Sequence, residues 1–285
     1  MKVSKIHGLG NDFIVFADNE GADKKFKDIA IRLCDRHTGI GGDGILVVVP
    51  SEKADIRMRI VNADGSEAEM CGNGIRCFAK FVYEEGILKR EAFSVETLAG
   101  IVRPTLKVEN EKVVEVTVDM GKPNFAPSSI PMYTGIVWDD SDGTEEKVLD
   151  HPLEVEGETY RVASVLLGVP HTEVFVDEVR RAPVTELGPK IEKHPFFARG
   201  TNVNFVQVVN DRHIKVRTWE RGAGATLACG TGSCAAAVMS FEKGLTGREV
   251  DVELYRGVLH VEYREDGTVF MTGPAETVFE TDIEL

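Results

Sequence analysis

Two cysteines stand in the same setting, one in each half of the 285-residue chain. Residues 56–79 read IRMRIVNADGSEAEMCGNGIRCFA, and residues 214–237 read IKVRTWERGAGATLACGTGSCAAA. The two stretches superimpose without a gap at a constant offset of 158, which sets Cys71 against Cys229, Gly72 against Gly230, Gly74 against Gly232 and Arg59 against Arg217. Two copies of a Cys-Gly-x-Gly turn predict two similar half-proteins, each offering one thiol to a shared cleft. Inverting a carbon centre by moving its hydrogen requires a base on one face and an acid on the other. A thiolate and a thiol are such a pair. An ordinary thiol is mostly protonated at neutral pH, so the base must be activated. The free N–H groups and dipole of a helix N-terminus do this. Both cysteines lie where a loop enters a predicted helix. The glycines after them let backbone N–H groups approach a ligand, and those groups suit an α-carboxylate whose charge grows in the transition state.

The elements that must position these thiols are legible in the pattern. Residues 3–7 predict a strand entering the glycine loop 8–12, and 13–17 a second strand. A helix is predicted over 27–36, with Ile29, Ala30 and Leu33 on one face. An apolar strand over 45–49 ends at Pro50, and Ile56, Met58 and Ile60 alternate with polar residues as in a half-buried strand. A helix follows Cys71 and stops at Gly86. Strands are predicted over 93–96, 101–108 and 113–119. In the second half strands are predicted over 159–167, 173–176, 205–209 and 213–218, with a helix over 233–243. Pro123, Pro127 and Pro131 with Ser128 and Ser129 mark the boundary between halves, and 139–146 reads as an acidic surface loop.

Composition excludes several classes. Hydrophobic residues at 42% suit a soluble globular protein with a core, and a net charge of −14 argues against a nucleic-acid or anionic-membrane partner. No signal-like or membrane-spanning apolar run occurs, so the expected location is cytoplasmic. Five cysteines in so long a chain point to free thiols. Cys34, Cys77 and Cys234 read as core. No C-x-x-C pair is present, Cys34 and His37 have no second pair, and no metal is expected. Gly39-Ile40-Gly41-Gly42-Asp43-Gly44 matches G-x-G-x-x-G literally. The dinucleotide fingerprint follows a strand and opens a helix, whereas here a helix precedes and a strand follows. A tight loop is the expected reading.

NADGSEAEMCGNGIRC and WERGAGATLACGTGSCAAA, with KIHGLGNDF and RHTGIGGDG upstream, resemble the diaminopimelate epimerase family over nearly the whole chain. The resemblance implies an α/β (α+β) fold of two pseudo-symmetric domains. Each is a mixed β-sheet or barrel curled around a central helix, with the active site in the cleft between them. The domains would be residues 1–120, completed by 275–285, and residues 121–274. It implies no cofactor, a small amino-acid substrate, a homodimer, and interconversion of LL- and meso-diaminopimelate for lysine and peptidoglycan synthesis. Cys71 and Cys229 would be the acid/base pair. By the same match Asn11, Asn62, Gly72, Asn73, Asn202, Gly230 and Thr231 would contact substrate. Glu220 and Arg221 would read its distal amine and carboxylate, as an Arg fork and a nearby carboxylate can. His171 would lie beside the site, with a supporting hydrogen bond as its role. The chain departs from the family pattern at Val169 (commonly Asn), Gly44 (often Gln) and Ala225 (usually Glu). Each hydrogen bond lost to a charged group is worth about 1.5–3 kcal/mol.

Two rivals remain. One is a racemase of another amino acid, histidine or lysine, on the same scaffold. The retained Glu220-Arg221 pair argues against it and the departures argue for it. The other is a non-catalytic binding protein, against which both cysteines and both glycine turns argue. Thiols close enough to share one α-carbon can also join as a disulfide. Diamide is therefore expected to inactivate the protein and dithiothreitol to restore it. Activity indifferent to both reagents would sink the facing-thiol arrangement.

Overall fold

The computed structural model describes residues 1–19, 26–130, 132 and 147–284. The chain divides into two compact units, Met1–Asp119 with Thr272–Leu285, and Met120–Met271. Pro131 and the acidic stretch 139–146 lie outside the described residues.

The first unit is built from β1 (Lys2–Gly8), β2 (Asn11–Ala17), α1 (Lys27–Cys34), β3 (Gly44–Val49), β4 (Ile56–Asn62), β5 (Glu67–Ala68), α2 (Gly72–Glu84), β6 (Val95–Thr97), β7 (Gly100–Val102), β8 (Thr105–Glu109) and β9 (Lys112–Asp119). Its sheet runs from the C-terminal strand Glu276–Asp282 through β1, β2, β3, β4 and β6 to β7, with β5 paired to β4. β2–β3 and β4–β6 are parallel, the other pairs antiparallel. α2 packs against β1, β2, β3, β4 and β9, and every residue from Gly72 to Val82 is buried. Its polar members are satisfied where they lie: Lys80 Nζ donates to Glu84 at 2.7 Å and to the Val113 carbonyl at 3.0 Å.

The second unit contains β10 (His151–Val155), β11 (Glu158–Leu167), β12 (Val169–Phe175), α3 (Val184–Glu192), β13 (Asn202–Asn210), β14 (His213–Glu220), β15 (Gly224–Thr226), α4 (Gly230–Glu242), β16 (Glu249–Glu253), β17 (Val258–Tyr263) and β18 (Val269–Gly273). The sheet order is β10-β11-β12-β13-β14-β16-β17-β18, with β15 on β14. α4 packs against β11, β12, β13, β14, β16 and β17. Its run Ser233–Ser240 is buried on all sides, as a helix apolar around its whole circumference must be. The sequence repeat is a structural repeat: α2 and α4 have 13 residues each and begin at the equivalent glycines Gly72 and Gly230.

Four differences from the sequence reading have local causes. The strand expected over 101–108 is two strands, because Pro104 lacks an N–H and holds Arg103 extended. α1 stops at Cys34 rather than residue 36, because the Asp35 carboxylate accepts the His37 and Thr38 N–H groups in a turn. β10 is an additional strand outside those expected, and its Pro152 is tolerated because β10 is an edge. α3 is an additional helix outside those expected, and it holds Gly188 and Pro189, both poor helix formers.

Gly188 is explained by its neighbour. Its φ is ordinary, but a Cβ there would lie 2.6 Å from Trp219 Cβ on β14. Gly188→Ala is therefore expected to destabilise the protein by about 1–3 kcal/mol, since overpacking outweighs the helix-propensity gain. Urea unfolding checks this, and a variant as stable as the parent would refute the close packing.

Candidate active site

Each repeated cysteine is the N-cap of its helix. Cys71 (φ −143°, ψ 118°) and Cys229 (φ −122°, ψ 112°) are extended, which aims each sulfur back at the first turn. Cys71 Sγ accepts from the Gly74 N–H at 3.3 Å, and Cys229 Sγ accepts from the Gly232 N–H at 3.3 Å. These are N-cap bonds with sulfur in the acceptor's place. On α4 the capped residue must be glycine, because a Cβ on Gly232 would sit 3.2 Å from Cys229 Sγ and 2.6 Å from Asn204 Oδ1.

The surroundings of the two thiols differ. Cys71 is half-buried, and its Sγ–H points to Asn11 Oδ1 at 3.7 Å. Asn73, in the first turn of α2, donates through Nδ2 to the same oxygen at 3.2 Å. Asn11 Nδ2 in turn donates to Asp43 Oδ2 at 2.8 Å. Asp43 and Asp12 share the Arg36 guanidinium at 2.8 and 2.7 Å, and Lys5 Nζ is 2.6 Å from Asp12. Burial alone would push the Asp12 carboxyl up, but Arg36 and Lys5 together hold it at about 2. Asn62 stands apart from this group: its amide donates to Ser66 Oγ at 3.0 Å within the Asn62–Ser66 turn. That turn meets the Asp43 loop through the Ala63 N–H and the Asp43 carbonyl at 3.1 Å.

Cys229 is 4% exposed, and its thiol is pushed well above the usual range by burial first and by the Glu220 carboxylate second. The helix-start activation expected for both cysteines is therefore outweighed at this one, because desolvation penalises the thiolate more than the cap favours it. Thr231 Oγ1 lies 3.5 Å from Cys229 Sγ. Glu220, expected at the distal end of a substrate, stands beside the sulfur and is held by Thr226 Oγ1 at 2.6 Å. Asn202 Oδ1 accepts the Arg221 N–H at 2.8 Å, and the Arg221 guanidinium donates to the Arg199 carbonyl at 2.8 Å.

His171 is fully buried and reaches the helix only through Asn204, whose Nδ2 is 3.3 Å from His171 Nδ1 and 3.0 Å from Glu173 Oε1. Asn204 Oδ1 accepts from Thr218 Oγ1 at 2.9 Å, next to Gly232. Sequence reasoning missed Asn204, Glu173 and Asp43. Polar residues at every second position of β12 and β13, His171 with Glu173 and Asn202 with Asn204, are the signal that could have found two of these, Glu173 and Asn204. The departure positions fall in the same two neighbourhoods. Gly44 pairs with Asn62, and a Cβ there would meet the Val61 carbonyl at 2.7 Å, so a long side chain has no room. Val169 follows Gly168, whose φ of +71° turns β11 into β12 beside the Thr231 methyl. Ala225 pairs with Trp219. Among the described residues no His, Cys, Asp or Glu cluster could hold a metal ion.

A family model described as diaminopimelate epimerase matches residues 3–126 and 163–278. The chain is 52% identical to a diaminopimelate epimerase of Caldanaerobacter subterraneus subsp. tengcongensis and 50% identical to one of Moorella thermoacetica, covering 100% of both chains in each case. Among solved structures it resembles a probable proline racemase from Agrobacterium radiobacter (TM-score 0.71, 17% identity, 100% of this chain and 93% of that one). It also resembles a Bacillus anthracis phenazine biosynthesis protein of the PhzF family (TM-score 0.70, 18% identity, 100% and 99%). These structural likenesses show the two-domain α/β fold.

The buried His171 and Glu173 titrate against the fold in opposite directions. Burial, with Arg221, lowers the His171 imidazole to about 3. Burial raises the Glu173 carboxyl to about 8. Between about 8 and the ordinary 4.5 of a glutamate the unfolded chain has lost a proton that the folded state keeps, so Glu173 costs stability as pH rises. Between the ordinary 6.5 of a histidine and about 3 the unfolded chain gains a proton that the folded state refuses, so His171 costs stability as pH falls. The two cancel from 4.5 to 6.5, and Glu173 acts alone above that. Glu173→Gln is expected to flatten the loss of stability between pH 6.5 and 8, by up to about 1.4 kcal/mol per pH unit. Denaturation midpoints across that range check it, and an unchanged slope would show that Glu173 is ionised in the folded protein.

Proposed function

We propose that this chain, which belongs to the diaminopimelate epimerase family, interconverts LL- and meso-diaminopimelate in the supply of lysine and peptidoglycan precursors. The carrying observation is the pair of sulfur N-caps, Cys71 on α2 and Cys229 on α4. One thiolate takes the α-proton: the carbon–hydrogen bond breaks and a sulfur–hydrogen bond forms. The electron pair delocalises into the α-carboxylate, and the other thiol gives its proton to the opposite face. The reverse reaction exchanges the two roles. The backbone N–H groups of the Gly72-Asn73 and Gly230-Thr231 turns bind that carboxylate as its charge grows. Burial and the neighbouring Glu220 support Cys229 as the protonated partner in the unliganded protein. Asn62, Asn202 and the Arg221 side chain serve the distal amino-acid group, with Asn11 and Asn73 nearer Cys71. His171 acts by hydrogen bonding through Asn204, a role its neutral, buried imidazole suits.

The substrate is a small amino acid, and a cytoplasmic homodimer is the form we propose for the protein. No helix among the described residues is long and apolar enough to cross a membrane. Gly44 supports the view that its departure is accommodated by the backbone rather than by a new specificity, since a Gln has no room there.

Proton NMR in D₂O tests the reading directly. Reduced protein is mixed separately with LL-diaminopimelate, L-lysine, L-histidine and L-glutamate. Loss of the α-proton and appearance of the second stereoisomer are expected with diaminopimelate alone. Exchange with another amino acid instead would keep the chemistry and overturn the substrate. Cys71→Ala and Cys229→Ala should each abolish net epimerisation, and wild-type turnover by either variant would remove the two-thiol mechanism.

A further inference from the structure

Arg76 is among the largest fully buried side chains of the protein, with 0% exposure, one turn into α2. Its guanidinium donates to the Pro274 carbonyl at 3.2 Å, to the Gly72 carbonyl at 3.2 Å, and through Nη2 to Asn73 Oδ1 at 3.1 Å. The strand end beside it is shaped to admit it. Gly8 has an ordinary φ, yet a Cβ there would lie 2.9 Å from Arg76 Nη2 and 3.3 Å from Asn73 Cβ.

Consider the polarity of the chain that begins at Arg76. A guanidinium can only donate, so the Asn73 atom facing it is the carbonyl oxygen. That leaves Asn73 Nδ2 to donate to Asn11, whose facing atom is therefore Oδ1. Asn11 Nδ2 then points to Asp43, and a carboxylate can only accept. Two amides in series between a cation and a carboxylate have one fully satisfied orientation. Reversing either sets donor against donor or acceptor against acceptor, a cost of about 1–3 kcal/mol for each buried group left unpaired. The fixed end product is an acceptor, Asn11 Oδ1, directed at the Cys71 thiol hydrogen.

We propose that Arg76 and Asp43 are positioning residues that lock the Asn73 and Asn11 amides so that an oxygen, not an N–H, faces Cys71. The proposal rests on the reading that Cys71 transfers the α-proton. The Gly74 N–H and the start of α2 favour the thiolate, and the Asn11 oxygen favours the thiol. A sulfur that must take a proton in one direction of the reaction and give it in the other is served by that balance. With the lock released, the Asn11 amide can rotate and offer Nδ2–H to the sulfur, which shifts the balance to the thiolate.

The test is the pH dependence of iodoacetamide alkylation at Cys71, read by peptide mass spectrometry in a Cys229→Ser background. It is combined with kcat and KM for epimerisation in the otherwise unaltered enzyme. Arg76→Lys keeps the charge but removes the fork. Its alkylation midpoint is expected to fall by about half a pH unit or more, and kcat to fall at least roughly tenfold with KM nearly unchanged. Asp43→Ala, at a side chain 44% exposed, releases the other end without touching the core. At 1 M salt, where screening acts over about 3 Å, it is expected to move the midpoint in the same direction. An unchanged midpoint and kcat in folded Arg76→Lys overturn the positioning role. If that variant does not fold, the same result in Asp43→Ala does so. Wild-type turnover by Cys71→Ala overturns instead the role of the thiol, a result separate from either midpoint.

Discussion

A sulfur atom closing the first turn of a largely buried helix is the interaction on which the rest of the molecule depends. The free N–H groups of a helix start cannot be left without partners in an apolar interior. Here Cys71 and Cys229 supply part of what is needed, and the same sulfurs are the groups proposed to move the proton. On α4 the capped residue must lack a side chain, hence Gly232, and around both helices the strands pack closely. The long strand sequence that wraps α2 and then α4 is the consequence.

One local device placed in two environments yields two different thiols. Cys229 is desolvated and faces the Glu220 carboxylate, so its proton is retained. Cys71 is half-buried and sits between a backbone donor and the Asn11 amide oxygen, and that amide is bonded directly to Asp43 and through Asn73 to Arg76. A symmetric sequence motif thus becomes an asymmetric electrostatic pair, which suits a reaction in which one sulfur must give while the other takes.

The polar groups packed behind these sites carry a real cost. His171 Nε2 and Glu173 Oε2 are buried without a hydrogen-bond partner among the described residues, and both side chains are held in their neutral forms. Asn204 connects them to Thr218 and lies against Gly232 in the first turn of α4. The sheet keeps them there because β12 and β13 are parallel neighbours with His171 opposite Asn202 and Glu173 opposite Asn204.

The amino-acid sequence by itself determined the duplication, the two cysteines and the helices that follow them. Those features are local: a Cys-Gly-x-Gly turn, an apolar run and a terminal glycine act within a few residues of one another. It also contained the wrong order of helix and strand around Gly39–Gly44 for a dinucleotide site. The tertiary structure decided what no short window contains. Pro152 is tolerated only because β10 is an edge, and Gly188 serves α3 only because Trp219 lies against it. Asp43, Asn11, Asn73 and Arg76 form one polarised line although the chain separates them by up to 65 positions, Asn11 to Arg76. The proton held on Cys229 likewise depends on burial by many strands and on Glu220. Desolvation and hydrogen-bond direction are properties of the assembled interior, so they arise only when distant segments have come together.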